Sequence, residues 1–214
     1  MTYSVKEMYY TLQGEGAQSG RPAVFLRFAG CNLWSGREAH RAAAICRFCD
    51  TDFVGVDGPG GGRFVSAAAL AAAVRQKWPS NCSTGVRYVV CTGGEPLLQL
   101  DAAAIDALHA AEFEIGIETN GTIAAPEGID WICVSPKAAT NLVQRSGDEL
   151  KLVYPQREEA AQPERFVSYE FTHRFLQPLD DEQRDVHTRR TIRYCLEHPQ
   201  WKLSLQTHKL LGFP

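Results

Sequence analysis

The sequence predicts an α/β chain in which about six parallel strands form an incomplete, partial β/α barrel with few crossover helices. Three observations carry this expectation. Short apolar runs of strand length recur along the chain, helical periodicity is clear in only three places, and the residues following successive runs are polar or glycine-rich. Strands joined by crossover helices imply a parallel sheet. Three helices are too few for a complete eight-fold barrel, so several crossovers must be loops.

The strand candidates, in order, are "AVFLRF" (23–28), "RYVVC" (87–91), "FEIGIE" (113–118), "WICV" (131–134), "LKLVY" (150–154), "RFLQ" (174–177) and "KLSLQ" (202–206), several of them β-branched or alternating. The helical segments are "SAAALAAAVRQKW" (66–78), stopped by Pro79, and "LLQLDAAAIDALHAA" (97–111). The third, "DEQRDVHTRRTIRYCLEH" (181–198), opens on acidic residues and closes at Pro199, and the basic residues of its "HTRRTIR" recur at helical spacing as a solvated face. "VDGPGGGR" (56–63) reads as a surface loop leading to the first helix. With no internal repeat, residues 1–214 are expected to be one domain.

Composition narrows the function classes. The 214 residues are 44% hydrophobic and 22% charged with a formal net charge of -3, which argues against a broad basic footprint for nucleic acid. The start, "MTYSVKEMYYTLQGEG", lacks a basic region followed by an apolar core, and the longest aliphatic run, "AAALAAAV", is too short to span a bilayer. The expectation is a cytoplasmic protein without a membrane partner, whose seven cysteines stay reduced and free to bind metal.

In a β/α barrel the chemistry sits on loops at the C-terminal ends of the strands. Here Gly30 and Cys31 follow the first run, "TGGEP" (92–96) the second, "TNG" (119–121) the third and "SPK" (135–137) the fourth. The glycines of "TGGEP" let backbone approach a ligand closely, and Pro96 suits a helix start. The segment "CNLWSGREAHRAAAICRFCDTD" (31–52) holds Cys31, Cys46 and Cys49. A C-x-x-C pair alone fits a redox dithiol, a zinc knuckle or a cluster loop, and His40 could complete a Cys₃His zinc site. Three thiolates on one rim loop also fit a [4Fe–4S] cluster with one iron left open to a substrate or cofactor.

Other residues carry plainer readings. Cys91 and Cys133 lie in apolar runs as small buried hydrophobes, while Cys82 and Cys195 lack a partner pattern. Arg27 on a strand suits a structural ion pair as well as a ligand contact. Glu15 and Glu95 read as solvated or capping carboxylates, whereas Glu118, at a strand end over the barrel mouth, must find a partner. His173, His187, His198 and His208 read as surface or core histidines.

The three-cysteine loop after the first strand, "GGEP" after the second and the polar rim together resemble the radical S-adenosylmethionine (SAM) superfamily. The usual spacing there is C-x3-C-x2-C, and this chain has Cys31-x14-Cys46-x2-Cys49, an expanded cluster loop at 31–49. Within the superfamily the chain resembles the 7-carboxy-7-deazaguanine synthase family. The likeness runs through "YTLQGEG", "FLRFAGCNLW", "CRFCDTD", "TGGEP", "IETNG", "VSPK" and the terminal "LSLQTHKLLGFP".

The resemblance implies a lyase of queuosine and deazapurine biosynthesis that converts 6-carboxy-5,6,7,8-tetrahydropterin to 7-carboxy-7-deazaguanine and ammonia. A hydrogen would leave C6 of the pterin, the ring would contract, and a hydrogen would return to regenerate SAM. By the same resemblance Cys31, Cys46 and Cys49 hold the cluster, while Gly94, Glu118, Ser135, Pro136 and Lys137 hold SAM, flanked by Phe48 and Asp50. Leu12, Gln13 and Gly14 would frame the pterin. Arg27, Thr92 and the carboxylate of Pro214 would reach the substrate, whose own carboxylate suits the forked guanidinium. Thr51 would offer its hydroxyl to a Mg²⁺ ion bridging to that carboxylate. The implied partners are an electron donor such as flavodoxin and a second copy in a homodimer. The alternatives are another radical SAM enzyme, such as an activase acting on a partner protein, or a zinc-stabilised interaction domain.

Overall fold

A computed structural model describes residues 1–82, 84–137 and 140–214. Among these, the strands are β1 (Tyr3–Leu12), β2 (Pro22–Phe28), β3 (Gly62–Phe64), β4 (Arg87–Gly93), β5 (Phe113–Thr119), β6 (Trp131–Val134), β7 (Ser146–Tyr154), β8 (Glu170–Pro178) and β9 (Lys202–Leu203). The helices are α1 (Ala67–Lys77), α2 (Ala102–Ala110), α3 (Arg184–Glu197) and α4 (Thr207–Leu211). No helix among the described residues is long and apolar enough to cross a membrane.

The strands form one sheet in the order β3-β1-β2-β4-β5-β6-β7-β8-β9. From β2 onward every pairing is parallel, and the sheet curls without closing on itself, as expected of a partial barrel. The antiparallel edge made by β1 and β3 was not foreseen. A register shift between Val5 and Glu7 interrupts the two-residue alternation of β1, so its apolar period is hard to read.

Helices α1 and α2 cover one face. Ser66 caps α1 by accepting from Ala69 N at 3.2 Å, and Asp101 caps α2 by accepting from Ala104 N at 2.9 Å, each contact contributing about 1 kcal/mol. Their apolar stripes, Leu70, Ala71 and Val74 on one and Ala104, Ile105 and Leu108 on the other, bury against Val24, Leu26, Val89, Cys91, Ile115 and Ile117 of the sheet. The second core gathers Leu150, Leu152, Leu176 and Trp201 beneath the far strands. Cys91 and Cys133 are buried, as their apolar runs implied.

Three boundaries differ from the sequence expectation. The segment 97–111 turns helical only at Ala102, because the Gln99 side chain is drawn away to accept from Ser4 N at 2.7 Å and donate to Ala29 O at 2.8 Å. Pro96 instead opens a short 3-10 turn. The glycine-rich loop ends in β3, and "KLSLQ" pairs only at Lys202 and Leu203 before the chain leaves the sheet. That departure carries residues 204–214 across the mouth.

Candidate active site

Alternation along the strands decides what faces the open side of the sheet. With α1 and α2 on one face, Glu7 and Tyr9 of β1 and Phe25 and Arg27 of β2 point to the other. They line a pocket of about 380 Å³, together with the residues at the C-terminal ends of β4, β5 and β8 and the loop after β6. Tyr9 stacks on Phe25 with ring centroids 5.8 Å apart. Arg27 donates from Nε to Glu7 Oε1 at 2.7 Å and from Nη2 to Tyr9 Oη at 3.2 Å, so it is an ion-pair partner and a pocket wall at once.

One bank of the pocket is made of turns. Gly94 sits so close to the first rim loop that a Cβ there would lie 2.2 Å from Gly30 O and 2.6 Å from Cys31 Cβ, so only glycine fits. Glu95 is fully buried; it accepts from Leu97 N at 3.0 Å, Thr119 Oγ1 at 2.8 Å and Asn120 N at 2.8 Å, fixing two rim loops to each other. Burial raises its pKa, and these three donors work against that rise. The capping reading of Glu95 holds, and the solvated one does not.

The thiols gather beside this bank. Cys31 and Cys49 pack on Trp34, Ala44 and Phe53, and Trp34 meets Phe53 edge-on at 5.6 Å. Burial raises the Cys31 thiol, while the Leu33 N–H, 3.4 Å from its sulfur, opposes that. Cys46 and Cys49 share a hydrogen bond that holds Cys46 as a thiol, with burial acting in the same direction, and brings Cys49 down to about 6. The Thr51 N–H and the Lys137 ammonium also favour a Cys49 thiolate. N–H groups aimed at the sulfurs of Cys31 and Cys49, and a Cys49 thiol already drawn down, fit the donor set of an iron–sulfur cluster, which would hold all three cysteines as thiolates. His40, the candidate fourth zinc ligand, is exposed and bonded through Nδ1 to Ser35 Oγ at 2.9 Å. The expanded loop is pinned from outside by Arg41, which stacks on Trp34 at 4.1 Å and donates to Cys49 O at 3.1 Å.

The opposite bank is built from charges. Lys151, its side chain only 4% exposed, reaches Glu15 at 2.7 Å and Glu118 at 2.9 Å. Burial alone would raise the Glu15 carboxyl, but Lys151, helped by Gln206, outweighs it and brings Glu15 down to about 2. Glu15 is therefore neither solvated nor a cap. Gln13 Nε2 donates to Glu118 Oε1 at 3.2 Å, joining the first-strand loop to the rim. Behind them Glu149 accepts from Ala17 N at 2.9 Å, and Gly16, at φ +65°, leaves the space that a Cβ would take from the Glu149 carboxylate. Burial raises the Glu149 pKa, against the pull of Lys151.

Most of the residues singled out in the sequence come together in the structure. Leu12, Gln13, Gly14, Arg27, Phe48, Thr92, Gly94, Glu118, Ser135, Lys137 and Pro214 all line the pocket, as do Cys46, Cys49, Asp50 and Thr51. Cys31 lies against its Gly94 wall. Pro136 is buried and lines a neighbouring cavity with Leu142 and Phe166. Glu7, Tyr9, Phe25, Lys151 and Lys209 line the pocket unforeseen. A lysine between leucines in "LKLVY" was the available signal for a buried, paired charge.

Comparison with known proteins places this architecture. No family model matches the chain. A 7-carboxy-7-deazaguanine synthase of Caulobacter vibrioides is 63% identical over 214 residues, the whole of both chains. One from Bordetella pertussis is 60% identical, again over the whole of both. The crystal structure of QueE from Escherichia coli superposes with a TM-score of 0.73 at 27% identity, covering 97% of this chain and 95% of that one.

Proposed function

This chain belongs to the 7-carboxy-7-deazaguanine synthase family, a radical SAM lyase of queuosine biosynthesis, and on that premise we propose how its pocket divides the work. The substrate is 6-carboxy-5,6,7,8-tetrahydropterin, and ammonia leaves with the ring contraction. Residues 1–214 act as one radical SAM domain, a reading supported by the single sheet that takes in every strand among the described residues.

Cys31, Cys46 and Cys49 would hold a [4Fe–4S] cluster, and Gly94, Glu118 and the loop from Ser135 to Lys137 would hold SAM, with Phe48 and Asp50 at its flank. When bound, these groups supply reversible hydrogen-atom abstraction. The chain supplies position and exclusion of water. With Nε engaged by Glu7 and one Nη2 N–H by Tyr9, Arg27 keeps N–H groups on both terminal nitrogens that could fork onto a carboxylate beside Thr92. The Tyr9–Phe25 stack forms a flat apolar wall beside it. Lys151 fixes Glu118, which would hold the SAM ribose, while fixing Glu15, so the Leu12–Gly14 turn that would frame the pterin is held by the same cation. Thr51 would contribute one hard oxygen to Mg²⁺, which the substrate carboxylate and water would complete. An electron donor such as flavodoxin and a homodimeric state complete the reading.

The observation that carries it is a pocket with Cys31 against its Gly94 wall, the hydrogen-bonded Cys46 and Cys49 in its lining, and a guanidinium on the opposite wall. The test is anaerobic. Protein reconstituted with iron and sulfide should turn brown and cleave SAM on reduction, and Cys31→Ala, Cys46→Ala or Cys49→Ala should each remove colour and cleavage together, while Cys195→Ala keeps both. A Cys31→Ala protein that retains a full cluster would overturn the ligand set.

A further inference from the structure

The chain beyond β9 runs as a strap along the first-strand loop. Gly16 N donates to Ser204 Oγ at 3.0 Å, Gln206 Nε2 to Glu15 Oε1 at 3.0 Å, and Thr207 to Gly14 O through both N and Oγ1, at 3.0 and 2.9 Å. At the far end Thr11 Oγ1 donates to Pro214 O at 2.7 Å. All of these contacts lie on one bank. Lys209 leaves it: its Nζ donates to Asp50 Oδ2 at 2.5 Å, in the loop that carries Cys49 and Thr51, and to Asp180 Oδ2 at 2.6 Å, just past β8.

We propose that Lys209 is a positioning residue that couples the two banks: when the cysteine loop is ordered around its cluster, Asp50 holds Lys209, and through it the strap that closes the substrate side. This rests on the proposed cluster site, and it adds an order of assembly, with the cluster loop set first and the pterin wall second. Geometry gives the reason. The first-strand bonds fix where the strap lies, and the Asp50 contact ties it to the loop in which Cys49 is the adjacent residue. Lys209 is 29% exposed at its side chain and bridges two carboxylates, so it forms a network instead of an isolated surface pair, whose contribution would be small. Arginine can span the same carboxylates and glutamine cannot pair with them by charge.

The experiment is hydrogen–deuterium exchange of residues 204–214 on the full chain, cluster-free and anaerobically reconstituted, for the wild type, Lys209→Gln and Lys209→Arg, with iron content measured on every sample. In the wild type, cluster loading should slow strap exchange about tenfold; Lys209→Gln should lose that difference and Lys209→Arg keep most of it. In turnover, Lys209→Gln should raise the substrate KM about tenfold and change kcat far less, as expected when uniform binding is removed. Equal slowing in Lys209→Gln, or no slowing in the wild type, overturns the coupling. If Lys209→Gln fails to load iron, Asp180→Asn decides: it leaves the Lys209–Asp50 contact intact, so the slowing should persist, and its loss there would place the hold on the strap at the end of β8 and overturn the proposal. Failure of the wild type to take up a cluster would instead count against the proposed function.

Discussion

On the cysteine bank the groups facing the pocket are held by backbone: Gly94 lies against Gly30, and Glu95 collects the N–H groups of Leu97 and Asn120. On the opposite bank they are held by side chains far apart in sequence, with Lys151 joining Glu15 to Glu118, and Arg27 joining Glu7 to the mouth. A wall of turns tolerates little change in shape, because a single added carbon meets backbone. A wall of ion pairs tolerates shape changes better and loss of charge badly, because a buried carboxylate without its cation is costly. The division suits the ligands each bank would meet, a rigid inorganic cluster on one and a charged heterocycle that enters and leaves on the other.

The sharpest way to break this contrast is Lys151→Met. It strands two carboxylates, so a loss of about 3–5 kcal/mol in folding stability is expected, seen as a lower urea midpoint. The surviving folded protein should still show the cluster spectrum after reconstitution. A variant that loses its cluster in proportion to its stability would mean that the two banks are one unit.

The converse change is Gly94→Ala, with an expected stability cost of about 1–3 kcal/mol from overpacking against Gly30 and Cys31. Here iron content should fall well before the urea midpoint does, with strap exchange in the cluster-free protein unaltered. Normal iron loading in this variant would show that the glycine wall can relax.

What could be read from sequence follows the same line. The loops after β2, β4, β5 and β6 carry their information within a few residues, as in "TGGEP" and "CRFCDTD", and the pocket contains them. The charged bank depends on contacts such as Lys151 with Glu15 and Lys209 with Asp50, whose partners lie more than a hundred residues apart. No local pattern announces such pairs. β1 escaped for a different reason: its irregularity at Val5 and Glu7 shifts the inward set, so the strand that supplies Glu7 and Tyr9 shows no clean alternation.

The last test concerns acid. Glu15 sits at about 2 in the folded chain against about 4.3 for an unperturbed glutamate. Its folded pKa is the lower one, so the stability from its ion pair is complete above about 4.3 and is lost as pH falls toward 2. Glu15→Gln should therefore flatten the acid limb of a plot of unfolding midpoint against pH. Parallel acid limbs in the variant and the wild type would assign that stability to other carboxylates and weaken the picture of a charge-built bank.

A sheet that never closes has two margins where unpaired peptide groups could recruit the backbone of another chain and seed fibrous aggregates. Here the margins are β3, three residues long with Arg63 exposed, and β9, two residues long with Lys202 exposed. Short, charged margins offer a stranger too little to zip onto. Colloidal safety is thereby separated from barrel closure, which leaves the lateral opening of the arc free to serve as the entrance for a ligand.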